Sequence, residues 1–413
     1  MGTARHPVLK PALRRGWRDL NTVQFGVAPA HAVVLGPVDT ATGSFLTLLD
    51  GTRGPDLLRA EGHRMGLPDG HVDALLDRLT TAGLLDDATG GGPQADALRR
   101  RGEAMDRLRP DHAALSIVDP VPGGAMKRLA ARRTTRVQVR GAGRVGAVLA
   151  SVLAGAGVGQ VDVMDGGCVE PWDLAPGGLP PESVGERRAE AARRATRRAS
   201  PGRPPRTRPA QEPGRSLVVI APRDGLAAYA PDPTATEDLM AAGTPHLYAG
   251  VIEGTGVVGP LVLPGATACA NCLARGRTER DPTWPRLMAQ WRSGARRQVP
   301  ACDLALSTAV AGLAAGHALA HLDGEPPASA GARWEASLPR LGWHARLVWP
   351  HPDCPCGASD RDKQAQAETD GTAEGGSEAD SGGGTKGTGE SQLGKAKGAR
   401  TSDDPEAHDT MTG

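Results

Sequence analysis

Arg136-Val-Gln-Val-Arg140, followed at once by Gly141-Ala-Gly143-Arg-Val-Gly146, is the stretch that decides the fold of this chain. The first five residues read as a short strand, Val145 to Leu153 as a helix of small residues, and Val158 to Asp165 as a second strand, which makes a βαβ unit. Gly141 permits the tight turn, Gly143 lets a phosphate approach the backbone, and Gly146 lets helix and strand pack closely. The helix N-terminus then supplies amide donors for an anion. Asp165 closes the second strand about 20 residues on, where an acidic side chain accepts hydrogen bonds from ribose hydroxyls. A bare glycine match would be weak. Set between two strands and opening a helix, it predicts a nucleotide site rather than a glycine turn that binds nothing.

Four cysteines in two tight pairs lie downstream, Cys269-Ala-Asn-Cys272 and Cys354-Pro-Cys356. Thiolates brought together from two short loops are the usual means of building a closed tetrahedral zinc site, and such a site folds a domain rather than catalysing. Cys-x-C is tighter than the commoner Cys-x-x-C but still lets both sulfurs reach one ion. With six cysteines in 413 residues, four of them paired this way, a reducing compartment and metal binding are favoured over a disulfide framework.

The net charge of +1 gives no reason to expect a nucleic-acid or membrane partner. No apolar run near the length of a bilayer span and no signal-peptide pattern stand out, so a cytoplasmic protein is expected. Two Phe, two Tyr and seven Trp leave the core to Ala, Leu and Val. The arginine-dense run from Arg187 to Arg208 lacks interleaved aromatics and carries Glu190 and many alanines, which makes it an exposed helix and loop.

Residues 1–90 form a first domain. His31-Ala-Val-Val-Leu35 reads as a strand, Phe45, Leu46, Leu48 and Leu49 as one buried helix face, and Val72, Leu75, Leu76 and Leu79 as a helix ended by Gly83. A strand with three short helices predicts a small winged-helix-like α+β module. Gly90-Gly-Gly-Pro93 then opens a linker, residues 91–128. The Rossmann-like α/β domain occupies 129–358. From 359 the chain is rich in Gly, Ser, Asp, Glu and Lys and is expected to be a disordered tail.

With RGAGRVG, VMDGG, Val218-Val-Ile-Ala-Pro-Arg-Asp224, GPLVLPGATACANC and HPDCPC in this order, residues 130 to 357 resemble the ThiF family, the ubiquitin-activating-enzyme-like adenylyltransferases. The resemblance implies that MgATP is bound and that its α-phosphate is attacked by the C-terminal carboxylate of a small protein or peptide, giving an acyl-adenylate. It assigns Gly141, Gly143 and Gly146 to the phosphates, Asp165 to the ribose, Asp224 to magnesium, and Cys269, Cys272, Cys354 and Cys356 to a structural zinc. Arg144, beside the glycine loop, joins the cofactor-binding set. The opening HPVLKPALRRGWRDLNTVQFG resembles, more loosely, the peptide clamps joined to ThiF-like domains in ribosomal-peptide maturation, where a leader peptide adds as an extra strand. The expected partners are therefore a precursor peptide or small protein, a maturation enzyme, and a second copy of the chain.

One departure bears on turnover. After the ribose aspartate the family carries an Asn, an Arg and a Gln on the triphosphate; here the run is Glu170-Pro-Trp-Asp-Leu-Ala-Pro-Gly-Gly178, without an arginine. The family's lysine falls on Arg188, which becomes the expected catalytic cation beside Asp224, with Arg140, Arg144 and Arg15 as substitutes. Two readings stay open: an adenylyltransferase, and a scaffold that has lost its chemistry and binds a leader peptide for another enzyme. Cys302 and Cys168 are expected to be without a catalytic role, the first as a buried thiol at the start of the helix Leu304 to Leu319.

Overall fold

The computed structural model describes residues 5–202, 215–293 and 300–360. The tail beyond 360 and the end of the arginine-rich run lie outside them. The N-terminal part carries β1 (Pro7–Leu9), β2 (Arg15–Trp17), β3 (Val23–Phe25), β4 (Val33–Leu35), helices α1 (Thr40–Phe45), α2 (Pro55–Arg64) and α3 (His71–Thr81), and β5 (Leu85–Asp87). β1 pairs with β5, and β2, β3 and β4 form a separate antiparallel sheet. Phe45, Leu46, Leu49, Val72, Leu75, Leu76 and Leu79 are buried in one cluster with Val23, Phe25 and Leu35, as their spacing requires. Gly83, at φ +67, ends the run after α3.

The stretch expected as a linker is helical instead: α4 (Gly92–Arg99), α5 (Gly102–Val118) and α6 (Gly124–Arg132). Gly91, at φ +94, caps α4 and Pro93 lies in its first turn, where a missing N–H costs nothing. Gly-Gly-Pro therefore starts a helix here rather than ending order. Ala95, Leu98, Leu108, Met126, Leu129 and Ala130 form its own small core. Arg132 donates from Nε and Nη2 to the Asp323 carboxylate at 2.8 and 2.6 Å, both side chains buried, which ties these helices to the next layer.

The central domain begins with β6 (Arg136–Arg140), α7 (Arg144–Gly155) and β7 (Gln160–Met164), the expected βαβ unit. It continues with α8 (Arg188–Ala199), β8 (Leu217–Ile220), α9 (Leu226–Tyr229), α10 (Glu237–Ala241), β9 (His246–Ile252) and β10 (Thr255–Val262). Last come α11 (Ala270–Arg280), α12 (Trp284–Ser293), α13 (Leu304–Leu322), β11 (Ala332–Ser337) and β12 (His344–Leu347). The sheet order is β12-β11-β10-β9-β8-β6-β7, with β7, β6, β8 and β9 parallel and the rest antiparallel.

Alternation along β8 and β9 sorts side chains between two faces. Leu217, Val219, Leu247, Ala249 and Val251 join the large core under α7 and α13, whereas Ile220 and Tyr248 pack with the cysteine cluster on the other face. Helix α13 has the length and mean hydropathy, 1.3, of a membrane span, contrary to the expectation that no run approaches it. Its residues Leu306, Val310, Ala311, Ala314, Ala315 and Ala318 are buried in the sheet core, so it reads as a core helix.

Candidate functional site

The chain passes from β6 to β7 on one side and to β8 on the other, so the sheet order reverses between β6 and β8. That switch point is where an open α/β sheet leaves a crevice at the carboxyl ends of its strands. The loop Gly141–Gly146 and the segment Ala221–Gly225 meet there. Gly141 holds φ +111, and a Cβ on it would lie 2.0 Å from the Ala221 carbonyl oxygen; on Gly146 it would lie 2.1 Å from the Gly141 oxygen. Both positions admit only glycine. A Cβ on Gly143, the N-cap of α7, would lie in ordinary contact with Arg223, 3.4 Å from its Cγ, so Arg223 stands beside the amide end of the helix where an anion would sit.

Asp165 follows β7 and accepts the amide of Ala142 on Oδ2 and that of Gly167 on Oδ1, each at 2.9 Å. It thus holds the glycine loop and its own turn in place. Arg188, the first residue of α8, is buried with its Nε 3.5 Å from Asp165 and 3.7 Å from Asp173. Its Nε makes no hydrogen bond. Arg188 therefore sits beneath the loop, bridging two carboxylates.

Arg223 is the residue that sequence reasoning passed over. Its Nε donates to Asp173 Oδ1 at 2.7 Å, its Nη2 bonds Glu170 Oε2, and its guanidinium lies 5.7 Å from the Trp172 ring. The segment 170–173 that lacks the family's arginine is thus met by a guanidinium from the loop after β8. The signal was adjacent, since Arg223 precedes Asp224, but the pairing spans 50 residues. Asp224 is exposed and accepts the Leu226 amide at 3.0 Å, so one carboxylate oxygen faces outward. Arg144 donates Nη1 to the Cys302 carbonyl at 2.8 Å and leaves a buried Nε without a partner.

Burial pushes the Asp173 carboxyl up to about 6, against the pull of Arg188 and with a further push from Asp165. The remaining candidates are spent elsewhere. Arg140 bonds Asp238 at 2.9 Å, and Arg15 lies on the exposed edge strand β2 of the N-terminal sheet. Burial raises the Cys302 thiol, while Cys168 is exposed.

At the other end of β9 and β10 the four cysteines converge. Their sulfurs lie within 4.8 Å of one another, with Cys269 to Cys272 at 3.8 Å, Cys269 to Cys354 at 3.7 Å and Cys272 to Cys356 at 3.6 Å. Tetrahedral zinc with Zn–S of about 2.3 Å sets sulfurs roughly 3.8 Å apart, so the set fits that ion. The Asn271 amide donates to Cys354 Sγ at 3.3 Å, a support for a ligand thiolate. The Cys269 thiol donates to Cys272 and draws that thiol below its ordinary value.

A switch-point glycine loop with arginines and aspartates around it, and a four-cysteine knuckle elsewhere on the same sheet, mark an α/β domain of the nucleotide-binding kind. The family model described as ThiF family matches residues 118–357, and the chain belongs to the ThiF family. Among solved structures it is similar to Escherichia coli MccB with AMPCPP and SeMet MccA, at 14% identity and a TM-score of 0.61, covering 85% of this chain and 99% of that one. E. coli MccB with ATP aligns at 15% identity, TM-score 0.60 and the same coverage. PaaA aligns at 14%, TM-score 0.57, over 82% of this chain and 99% of PaaA. At these identities the likeness establishes the fold. No curated protein sequence matches the chain.

Proposed function

We propose that this chain is an ATP-dependent adenylyltransferase that activates the C-terminal carboxylate of a peptide as its acyl-adenylate. Membership of the ThiF family, with the glycine loop intact at the switch point, carries the reading. The MccB structures with ATP and with the peptide MccA support a nucleotide and a peptide as the two substrates.

The loop amides at Gly143 and Gly146 take the phosphates and Asp165 takes the ribose. A carboxylate oxygen of the peptide attacks the α-phosphorus, and the bond to the bridging oxygen breaks, so pyrophosphate leaves with the electron pair. The outward oxygen of Asp224 would hold magnesium, which neutralises charge on the leaving phosphates when bound. Arg223 exchanges Glu170 for a phosphate oxygen, supplying the cation that the 170–178 run lacks, while Arg188 keeps Asp165 and Asp173 in register. The scaffold reading rested on that missing cation, and Arg223 removes its ground. The cysteine set would hold a structural zinc.

The N-terminal α+β part grips the leader of the peptide along the free edge of β2, where Trp17 is half exposed. Assembly as a homodimer in the cytoplasm accords with this reading, as does delivery of the product to a maturation enzyme.

The test is ATP–pyrophosphate exchange with the full chain and candidate precursor peptides. Exchange is expected only with a free peptide C-terminus, to vanish on C-terminal amidation, and to be lost in Asp224→Ala. Thermal stabilisation by NAD but not by MgATP, with no exchange under any peptide, would overturn the assignment.

A further inference from the structure

On the face of the sheet that carries the cysteine cluster, a cavity of about 570 Å³ opens between α11 and the strands β11 and β12. No residue of the glycine loop lines it. Four guanidinium groups do: Arg277 and Arg280 from α11, Arg333 from β11 and Arg346 from β12. Two carboxylates answer them. Glu335 forms an ion pair with Arg333 and accepts from Arg346 Nε at 2.7 Å, and Glu279 pairs with His351 at 2.9 Å. Four positive groups against two negative leave an excess of +2 with His351 neutral.

Arg277 concentrates that excess. It is stacked between Tyr229, 4.5 Å from the ring centre, and Trp284, at 4.8 Å, while Arg333 lies 4.6 Å from the same Tyr229 ring. The Arg277 guanidinium makes no hydrogen bond or ion pair among the described residues, and its Nη2 is buried without a partner, as is Arg333 Nε. Burial, and then the like charge of Arg333, pull the Arg277 guanidinium down to about 10. A cation withdrawn from water with unanswered donors is costly unless an anion completes it, and a guanidinium held flat by two rings is aimed for carboxylate geometry.

Two neighbouring features narrow the ligand. A second cavity of about 250 Å³ shares Leu273 and Arg277 with the first and is walled by Pro231, Trp284, Pro285 and Met288, so an apolar group fits beside the cation. Strand β12 is the edge of the seven-stranded sheet; Leu347 at its end and Trp349 two residues beyond stand 66% and 71% exposed. An unpaired strand edge next to a basic cavity offers main-chain hydrogen bonds to an extended chain, which inorganic phosphate does not use.

We propose that this cavity is a binding site for an acidic peptide segment, with a carboxylate on Arg277 and its neighbours and an apolar side chain in the adjoining pocket. The site is separate from the adenylylation centre, so the two assignments stand or fall independently.

The probe is a fluorescein-labelled peptide of alternating Glu and Leu, with the Gln-Leu analogue and a single-stranded oligonucleotide of equal charge as comparisons, read by fluorescence anisotropy on the full-length protein. The Glu-Leu peptide is expected to bind at least tenfold more tightly than its Gln analogue. Arg277→Gln and, separately, the exposed Arg280→Gln should each weaken it severalfold or more, with metal content and MgATP stabilisation unchanged. Equal binding of the Gln analogue, preference for the oligonucleotide, or binding unaffected by both substitutions would overturn the proposal.

Discussion

Arginines gather in two places on this fold, and they are held differently. At the glycine loop Arg144, Arg188 and Arg223 share their space with Asp165, Glu170 and Asp173, so charge is balanced before any ligand arrives. Beside the cysteine cluster four guanidiniums meet two carboxylates, and Arg277 is held by aromatic faces. The first arrangement aims cations by partners that a phosphate can replace, which favours an entry and exit of ligand within each turnover. The second leaves a standing positive field, which suits retention of an anionic partner.

The largest effect separates the two regions outright. Replacing Cys354 and Cys356 together by Ser should take bound zinc from close to one ion per chain to none. Because a structural zinc contributes apparent binding energy on the order of 10 kcal/mol to folding, the melting temperature should fall by about 10 °C or more. The loss should be local first: hydrogen exchange should accelerate in α11 and around His351 before it does in β6 and β7. A purified protein without metal and with four freely titrating thiols would refute the site.

A smaller effect tests which arginine does chemistry. Arg223→Ala should lower pyrophosphate exchange by about 10²- to 10³-fold while ATP still binds, since the loop amides remain and only charge developing in the transition state loses its donor. Arg277→Ala should leave exchange with a short peptide unchanged. If exchange survives Arg223→Ala and disappears in Arg188→Ala without loss of the fold, the catalytic cation is Arg188, as its place in the sequence suggested.

What could be read beforehand follows the range of the interactions. Gly141 and Gly146 were legible because the constraint on each is steric and lies within a few residues, and the cysteine pairs because two short spacings determine one ion's geometry. The helix face Val72, Leu75, Leu76 and Leu79 was legible from its period. Residues 91–128 were misread because Gly-Gly-Pro was taken as a break when Pro93 is tolerated in a first helical turn. Arg223 with Asp173, and Arg277 with Tyr229 and Trp284, were not legible at all. Each is a side-chain meeting between separate elements that no periodic pattern encodes.

The smallest effect probes the balance at the loop end through pH. Asp173 is an acid whose folded value, about 6, lies above its unfolded value of roughly 3.9, so between those limits the native state holds more protons than the unfolded one. Its contribution to stability is therefore greatest below about pH 4, and declines as pH rises through 6. The charged groups facing it are Arg188, Arg223, Arg144 and Asp165, and the protonated form is favoured because burial outweighs the arginines. Asp173→Asn mimics that protonated form at every pH. In urea unfolding, the stability of the native sequence relative to Asp173→Asn should fall from pH 4 to pH 6.5 and level off above it. A difference that grows with pH over this range would mean that Arg188 and Arg223 dominate, and that the loop end carries its full ionic balance before nucleotide arrives.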